Sequence, residues 1–459
     1  MSSAVASEAP EKTPDDSSKL KTFLSILRRF VGVTDIASVR FSLPAHLLEP
    51  MPNLGMLSPF PPFLFQRWLL ALKLGGLLVN QTRRLPEYWN YLDRPETFAS
   101  IGKSDDPLGR MLEILRFWFT KDLKYIKGKP CKPYNSTLGE FFRCKWEIDG
   151  LPPAVSIPSK SDPTSGGSTQ TDDINGAVKV CYLTEQTSHH PPVSAFFIDC
   201  EERGVSARGF DQISAKFTGT SIRVAPGQHN LGIFVNIAKR DNEEYQLTHP
   251  DAHLGGLLRG ALAITVSDTC YITCPKTRIK VILQYLEEGW IGRAQNKVEG
   301  VIFRYNPDKD TTTRIKDVTD GDLLAKISGS WHGQVFYTLA GTNEPRLLID
   351  IGPLFPVPKE VPSDDEQLSN ESRKFWSGVT DAIVDKRYGQ ATKLKQEIEE
   401  RQRQKAAERQ AKNETWQPRF FTGSVTPLGK PELTEEGQKA LEGLRRGKYD
   451  LEESEFKGA

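Results

Sequence analysis

Short β-rich runs, separated by turn residues, occupy the chain from about residue 138 to residue 352, and they constrain the fold more than any other feature. No strand–helix alternation occurs in this stretch, which argues against a parallel α/β sheet. Because so many strands would leave exposed edges in a flat sheet, we predict a large, mostly antiparallel sheet that closes on itself. The runs are KVCYLTEQ, VSAFFIDC, KFTGTSIRV, NLGIFVNI, ALAITVSDTCYIT, KVILQYL, KVEGVIFRY, GQVFYTLA and RLLIDIG.

Helical patterns flank the β-rich stretch on both sides. The segment DDPLGRMLEILRFWF places Asp105 and Asp106 as candidate caps and Pro107 at the first helical position, which predicts a helix. After Pro358 the chain becomes acidic and polar, and a charged helical tract follows over residues 370–412. The predicted fold class is therefore mainly β with flanking α. The apolar stripe expected along the first helix consists of Leu108, Met111, Leu112 and Leu115.

Two polar segments are expected to lack fixed structure, namely residues 1–19 and the segment SKSDPTSGGSTQTDD at 159–173, which lies between strands. The first of them is followed by LKTFLSILRRFV at 20–31. Its apolar residues recur at helical spacing, with Arg28 and Arg29 on the other side, and this predicts an amphipathic helix. The helix can pack on its own domain, which the pattern favours, or it can contact a membrane.

Charge and cysteine content limit the classes of partner. Sixty basic and 59 acidic residues give a formal charge of +1, so no overall field attracts nucleic acid, and any anion binding has to be local. The six cysteines form no CxxC pair, and the first residues lack the apolar core of a signal peptide. We therefore expect a cytoplasmic protein with reduced thiols and no nucleic-acid partner.

Two of the seven histidines stand side by side in LTEQTSHHPPV, directly before two prolines. The prolines fix the local backbone and so hold His189 and His190 at the junction of two strands. A metal site would need further ligands in a fixed shell, and Ser188 beside His189 is adjacency in sequence rather than a catalytic triad. A turn with hydrogen-bonded histidines and an anion site both remain open. These residues alone favour the turn.

Two further segments carry candidate anion ligands. In KGKPCKPYNSTLGEFF, Lys132 and Asn135 lie in a stretch stiffened by Pro133, which also suits a surface loop before a strand. In KLKQEIEERQR, Lys395, Glu399 and Arg403 are spaced at i, i+4 and i+8 and so share one helical face. Taken alone, that face is an ordinary ladder of solvated ion pairs.

Three motifs in the same order resemble the oxysterol-binding protein family. EQTSHHPPVSAF resembles its fingerprint, usually EQxSHHPP, and KPYNSTLGEFF resembles its KPxNPxLGE segment. The K-x3-E-x3-R helix, followed by WQPRFF at 416–421, is similar to the C-terminal end of the family domain. One departure is Ser136, where the family usually has proline. The resemblance spans the chain from about Val39 to Phe421.

The resemblance implies a fold and a division of the chain. The fold is a large, incomplete antiparallel β-barrel around a hydrophobic lipid tunnel, with an N-terminal lid and a C-terminal helical region. The lid would cover bound chains with Phe41, Leu43, Leu47 and Leu48. The implied parts are a ligand-binding domain over 20–435, made of a lid (37–50), a helical part (87–130), the barrel (131–355) and a C-terminal helical part (365–435), followed by a tail (436–459).

The resemblance also implies a function without enzymatic activity, catalytic residues, metal or cofactor. Members carry a sterol or phosphatidylserine in one direction and phosphatidylinositol 4-phosphate in the other. They act peripherally at membranes, including the endoplasmic reticulum and contact sites, and we expect a monomer. The LPxxLLE-like pattern of the lid resembles members that take phosphatidylserine, without excluding a sterol.

The implied binding residues come from all three motifs. His189 and His190 would bind the inositol 4-phosphate. Lys395 and Arg403 would add charge-assisted hydrogen bonds, since arginine suits the geometry of a phosphate, and Glu399 would orient them. Lys132 and Asn135 are the other two implied ligands. They would hold the glycerophosphate portion or the head group of the second lipid.

Residues 55–86 have no counterpart in the family pattern, which stops after residue 54 and resumes at 87–95. They are either a membrane-touching extension or a translated, unspliced intron, and we favour the intron; sequencing the transcript distinguishes the two. The most apolar part, 58–79, is interrupted by three prolines and two charged residues and is not predicted to span a membrane. If the codons are retained, residues 68–70 become a candidate interfacial anchor.

Two other functions compete with lipid exchange. A sensor or scaffold would bind the same lipids and signal through a partner without net transport. The sequence shows no pleckstrin-homology-like segment, ankyrin repeat or FFAT-type motif, which favours exchange by a short form of the family over tethering. A hydrolase would need a nucleophile in a credible context, and the sequence offers none.

Overall fold

The computed structural model describes most of the chain after residue 90. The described residues are Ser25 and residues 91–127, 134, 136–158, 177–218, 221–255, 263–286 and 295–452. Ser25 is helical, within the helix predicted over 20–31. The other expectations for the N-terminal region lie outside the described residues, as do those for the 159–173 loop. They concern the polar segment 1–19, the lid with Phe41, Leu43, Leu47 and Leu48, the unmatched segment 55–86, and the candidate ligands Lys132 and Asn135.

A single antiparallel sheet of 15 strands dominates the described part of the chain, as predicted. Its main path runs β1-β2-β3-β4-β7-β8-β10-β11-β12-β13-β14-β15, while β5, β6 and β9 form a side branch that joins β10. Neighbouring strands mostly follow one another in sequence, so short turns suffice to connect them. The strands are β1 Phe141–Ile148, β2 Val178–His189, β3 Pro192–Cys200, β4 Val205–Asp211, β5 Ile213–Phe217, β6 Ile222–Pro226, β7 Ile233–Ile237, β8 Glu243–Leu247, β9 Asp251–Gly255, β10 Ala263–Cys274, β11 Ile279–Tyr285, β12 Lys297–Arg304, β13 Leu323–Ser330, β14 Gln334–Leu339 and β15 Arg346–Asp350.

The sheet is open, because β1 and β15 end its path and do not pair with each other. The segment that follows β15 covers the outer edge of β1. Lys145 and Glu360 exchange two backbone hydrogen bonds of 2.9 and 2.8 Å, and the amide of Phe141 donates to Asn370 O at 3.3 Å. The closure predicted from the number of strand runs is therefore wrong, whereas the incomplete barrel implied by the family resemblance agrees with this open path. The covering segment satisfies backbone groups that would otherwise form an exposed edge.

The helix predicted before the sheet is confirmed, including its cap. It begins at Pro107, and the carboxylate of Asp106 accepts hydrogen bonds from the amides of Leu108 and Gly109. The predicted apolar stripe describes only part of its packing, because residues on every face of the helix are buried. The helix lies against β11 and β15, where the Trp118 indole donates to the Tyr285 hydroxyl at 2.9 Å. It therefore forms part of the core.

Six helices accompany the sheet in the described residues. Three precede it, two form a packed hairpin after it, and the last occupies part of the segment expected to be a tail. Thr434 caps the start of that last helix, and its hydroxyl accepts a hydrogen bond from the Gly437 amide. The helix buries Leu441 and Leu444 near β1 and β2. They are α1 Pro95–Ala99, α2 Pro107–Thr120, α3 Leu123–Lys127, α4 Ser372–Val384, α5 Tyr388–Lys412 and α6 Glu435–Arg446.

The five described cysteines are buried and form no disulfide: Cys144, Cys181, Cys200, Cys270 and Cys274. Over the same residues, no helix combines the length and apolar character that crossing a bilayer requires.

Candidate functional site

The histidine pair lies in the turn between β2 and β3. β2 ends at His189 and β3 begins at Pro192. Both imidazoles are exposed, and their ring centroids are 4.6 Å apart. In the described part of the chain, no group of three or more His, Cys, Asp or Glu side chains is arranged to hold a metal ion. The turn thus presents two adjacent imidazoles at the rim of the sheet.

Polar side chains of the same motif hold this turn in place. The Gln186 amide donates to Ser188 O at 2.5 Å and accepts from the Ser194 hydroxyl at 2.7 Å. The Ser188 hydroxyl donates to Pro191 O at 2.8 Å across the turn. These bonds satisfy side-chain and carbonyl groups of the turn. The motif therefore fixes the backbone that carries the imidazoles.

Glu185, the first residue of the motif, joins the histidine strand to the C-terminal motif. Its side chain is fully buried, and its two oxygens accept hydrogen bonds of 2.8 Å each from the amides of Arg419 and Phe420. Burial raises the pKa of Glu185 to about 7, although the two amide hydrogen bonds oppose that rise. One carboxylate thus connects positions that lie 234 and 235 residues apart in the chain.

The LGE turn joins the histidine strand from the other side. The backbone amide of Gly139 donates to the backbone carbonyl of Gln186 at 3.0 Å, and the backbone amide of Gln186 donates to the backbone carbonyl of Glu140 at 2.8 Å. Gly139 has a φ of 77°, a left-handed conformation that favours glycine. The buried Glu140 carboxylate accepts from the Ser372 hydroxyl at 2.7 Å and the Trp376 indole at 3.0 Å. This turn therefore fixes α4 relative to the histidine strand.

Tyr134, which stands between Lys132 and Asn135 in the sequence, contacts α4. Its hydroxyl lies 3.0 Å from the Thr380 hydroxyl, and its ring centroid lies 4.8 Å from that of Trp376. Both contacts are with α4. The two candidate ligands themselves lie outside the described residues, so their positions relative to the histidines stay a prediction.

The three candidate residues on α5 differ in environment. Lys395 is buried, and its amine donates to Glu399 Oε1 at 2.7 Å. Arg403 instead is exposed and donates to Glu400 Oε2 at 2.6 Å. Glu399 therefore orients only one of the two cations. The helix that carries them packs on α4 through buried residues, and these include Ala391, Ile398, Val379 and Trp376.

Two acidic residues were missed as functional positions by sequence reasoning. Glu140 and Glu185 were quoted only as letters of motifs, yet their carboxylates hold the segments of the site together. The sequence did contain a sign of this role. Glu140 directly precedes an apolar strand and Glu185 lies within one, and at such positions an unpaired charge would be costly. Such positions indicate a carboxylate with fixed partners.

An open cavity of about 570 Å³ lies beside the histidine turn. His190 and Pro191 form one side of it. Its other lining residues are uncharged, and they are Gln212, Ser214, Pro226, Gly227 and Gln228. Amide, hydroxyl and imidazole groups can all hydrogen-bond to the hydroxyls or phosphate oxygens of a head group.

A second polar cluster contacts α2 and the inner strands. The Tyr91 hydroxyl donates to Asp211 Oδ1 at 2.6 Å, and the Tyr91 ring stacks on His249 with centroids 5.4 Å apart. Loss of hydration raises the pKa of Asp211 to about 7 and lowers the pKa of His249 to about 3. The imidazole of His249 is therefore neutral at physiological pH, and Asp211 is only partly ionised. None of these residues was singled out in the sequence.

The raised pKa of Glu185 predicts that stability depends on pH. The ordinary pKa of a glutamate is 4.5, and that of Glu185 in the folded chain is about 7. Between pH 4.5 and about 7, the folded state therefore keeps a proton on Glu185 that the unfolded state has lost. The free energy of unfolding should therefore fall as pH rises through this window. In urea titrations, Glu185→Gln should reduce that slope, and the slope that persists would come from groups such as Asp211. Equal slopes in the two proteins would contradict the assignment.

Comparisons with known proteins match both the motifs and the fold. The family profile described as "Oxysterol-binding protein" matches residues 79–382. "Oxysterol-binding protein-like protein 1" of Schizosaccharomyces pombe is 41% identical over 500 aligned residues, which cover 92% of this chain and 90% of that protein. The resemblance predicted from the motifs is thereby confirmed.

Two solved structures share the fold. The Osh1 ORD domain in complex with cholesterol superposes with a TM-score of 0.57 at 19% identity, covering 96% of this chain and 92% of that one. The Osh3 ORD in complex with PI(4)P, from Saccharomyces cerevisiae, has a TM-score of 0.57 at 16% identity, covering 97% and 96%. Together with the profile and the fission-yeast relative, they show that this chain belongs to the oxysterol-binding protein family, whose members are lipid-binding proteins rather than enzymes.

Proposed function

We propose that this protein extracts phosphatidylinositol 4-phosphate from one membrane and exchanges it for a sterol or phosphatidylserine from another. The observation that carries the proposal is the network around Glu185 and Glu140. It joins the histidine strand, the LGE turn and the C-terminal motif, and it leaves two adjacent imidazoles exposed at the rim of the sheet. Work of this kind needs binding and release but no chemical step, in keeping with a family that is not enzymatic.

The ligands of the two solved relatives support this choice of lipids. The Osh1 ORD domain is in complex with cholesterol and the Osh3 ORD with PI(4)P. By extension, we assign a phosphoinositide and a second lipid, a sterol or phosphatidylserine, to this chain.

We assign the head group to the rim of the sheet. His189 and His190 would bind the 4-phosphate, and the neighbouring cavity would take sugar hydroxyls. Lys395, oriented by Glu399, would add a charge-assisted hydrogen bond, and Arg403 would contribute from the exposed side of α5. The remaining proposed contacts come from residues outside the described part. They are Lys132 and Asn135 for the glycerophosphate portion, with Phe41, Leu43, Leu47 and Leu48 as the lid over the chains.

The domain organisation and the cellular site remain part of the proposal. We assign ligand binding to residues 20–435, and we place the protein in the cytoplasm as a peripheral monomer at membranes, including the endoplasmic reticulum and its contact sites. The second lipid is a sterol or phosphatidylserine. A lipid mass spectrum of the protein purified from cells would identify which of the two it carries.

Transfer of labelled lipids between two liposome populations tests the proposal. Exchange predicts that phosphatidylinositol 4-phosphate and the second lipid move in opposite directions, and that each accelerates the movement of the other. A sensor or scaffold would bind the same lipids without net movement. Chemically altered lipid in either population would indicate an enzyme.

Truncation of the α5 cations should weaken extraction of the phosphoinositide. We expect Lys395→Ala or Arg403→Ala to reduce the free energy of extraction by about 1–3 kcal/mol, the scale of a hydrogen bond to a charged group. Lys393→Ala is a suitable control, since Lys393 is on the same helix, is largely exposed, and has only a 4.0 Å ion pair with Glu397. Extraction that is unchanged in both variants would remove α5 from the site.

A further inference from the structure

Three surface segments near the histidine turn contain no charged residue. They are SHHPP at 188–192, APGQHNLG at 225–232 and TGSVTPLG at 422–429, and none includes Asp, Glu, Lys or Arg. In the whole chain 26% of residues are charged, and surface loops usually carry more than their share. We call these three segments, together with Ile213, the charge-free face.

Direct contacts place these segments side by side. The Thr187 hydroxyl, next to the histidine turn, donates to Ser424 O at 2.7 Å. Gly429 lies so close to Leu231 that a Cβ at Gly429 would be 2.9 Å from the Leu231 Cβ. The segment 225–232 in turn shares the 570 Å³ cavity with His190. The face is therefore continuous around the histidines, although its parts are distant in sequence.

Large apolar side chains of this face are exposed to solvent. Leu428 is 71% exposed, Ile213 is 47% exposed, and Val425 and Leu231 are each 38% exposed. Ile213 pairs with Pro226 across β5 and β6, which links it to the same surface. Single exposed apolar residues are common, but a group of four on one surface, three of them in segments without charged residues, is a feature of interaction surfaces.

The chemistry of the face fits the interfacial region of a bilayer. Apolar side chains gain free energy by entering the boundary between head groups and acyl chains, while charged side chains oppose that step. The face is bounded by an ion pair, since Lys430, the residue after its last segment, contacts Glu244 at 2.5 Å. Charge is thus present at the edge and missing from the centre.

We propose that the charge-free face docks on the lipid bilayer, with Leu428 and Val425 inserting at the boundary between head groups and acyl chains. The inference rests on the proposed function, because a head group can reach His189 and His190 only if the rim that carries them meets the membrane. The occupant is a lipid surface. The face then holds the imidazoles at the level of the head groups while a lipid is extracted.

Partition of the full-length protein onto phosphatidylcholine vesicles without phosphoinositide tests the docking. Val425→Asp with Leu428→Asp should lower the partition coefficient by about tenfold or more, since two apolar insertions are replaced by charges. Leu347→Asp is the matched control, because Leu347 is 50% exposed on β15, at the opposite end of the sheet path, and should partition like wild type. Thermal unfolding of all variants checks that the fold is retained, and Leu428→Asp alone serves if the double variant unfolds.

The two proposals can fail independently. Binding of a soluble, short-chain phosphatidylinositol 4-phosphate reports on the histidine site and should be unchanged in the face variants. Loss of vesicle binding with retained binding of the soluble lipid supports the docking face. Equal partition of wild type and the double variant, or an equal loss in Leu347→Asp, would overturn it. Wild-type protein that binds soluble lipid but not vesicles would also overturn it and would indicate a protein partner for the face.

Discussion

Replacement of both motif histidines, His189→Ala with His190→Ala, is expected to abolish transfer of phosphatidylinositol 4-phosphate between liposomes. Each imidazole is proposed to bond the 4-phosphate, and a hydrogen bond to a charged group contributes about 1.5–3 kcal/mol. Loss of both should reduce extraction by at least about a hundredfold. Because both rings are exposed and the turn is held by Gln186 and Ser188, the fold should survive.

Two controls separate head-group binding from general damage. His332→Ala removes a histidine between β13 and β14, outside the motif, and should leave transfer at the wild-type rate. Uptake of the second lipid by the double variant should also persist, because the interior that would hold it is not altered. Wild-type rates of phosphoinositide transfer in His189→Ala/His190→Ala would remove the pair from the site and leave only its role as a turn.

Truncation of Arg110 should cause the largest loss of stability, about 3–5 kcal/mol in the free energy of unfolding. Its guanidinium forms two bonds of 2.8 Å to the Glu243 carboxylate, and both side chains are at most 6% exposed. Arg110→Ala would leave the carboxylate buried with only the Tyr245 hydroxyl, which donates to it at 2.5 Å. Urea denaturation followed by circular dichroism measures the loss.

A surface ion pair supplies the comparison for Arg110. Arg314 contacts Asp317 at 2.8 Å, but its side chain is 66% exposed, so Arg314→Ala should cost less than about 1 kcal/mol. The double variant Arg110→Ala/Glu243→Ala should lose less than the sum of the two single variants, since it removes both partners of one bond. If Arg110→Ala costs no more than Arg314→Ala, the pair does not anchor α2 to β8.

The antiparallel sheet was predictable because its signal is local. Strand runs, turn residues and missing helical periodicity all occur within short windows of sequence. The start of α2 was predictable for the same reason, since Asp106 and Pro107 act on the turn that follows them. The burial of α2 on every face was not, because it depends on strands that come more than a hundred residues later, such as β8 with Glu243.

In the candidate site, too, local motifs were predictable from the sequence, but contacts between distant segments were not. The motifs identified the histidines and the α5 cations, but they gave no indication that Glu185 bonds Arg419 and Phe420. Those partners are backbone amides, which every residue type provides, so no side-chain pattern encodes them. The pairing of Arg403 with Glu400 was missed because i+3 and i+4 neighbours on a helix are nearly equivalent, and the spacing alone does not choose between them.

The helix α6 was the avoidable omission. Thr434 before two glutamates and Gly447 after two arginines are ordinary signals for the start and end of a helix. The family resemblance ends near WQPRFF at 416–421, and the predicted division of the chain ended the C-terminal helical part at residue 435 and gave residues 436–459 as a tail. In the structure they cover apolar residues of the histidine strand, including Leu183.

A closed barrel has a diameter fixed by its number of strands and their stagger. This sheet stops at β1, and the segment beyond β15 meets that strand through the backbone hydrogen bonds of Lys145 with Glu360 and of Phe141 with Asn370, and through the buried Arg143–Glu371 ion pair. The seam is therefore held by a few backbone hydrogen bonds and by side chains rather than by a continuous ladder, so strand number and stagger do not fix its width. Under the proposed exchange function, such a seam would let one scaffold fit cargoes of unlike cross-section, a rigid fused-ring plate and a pair of flexible hydrocarbon tails.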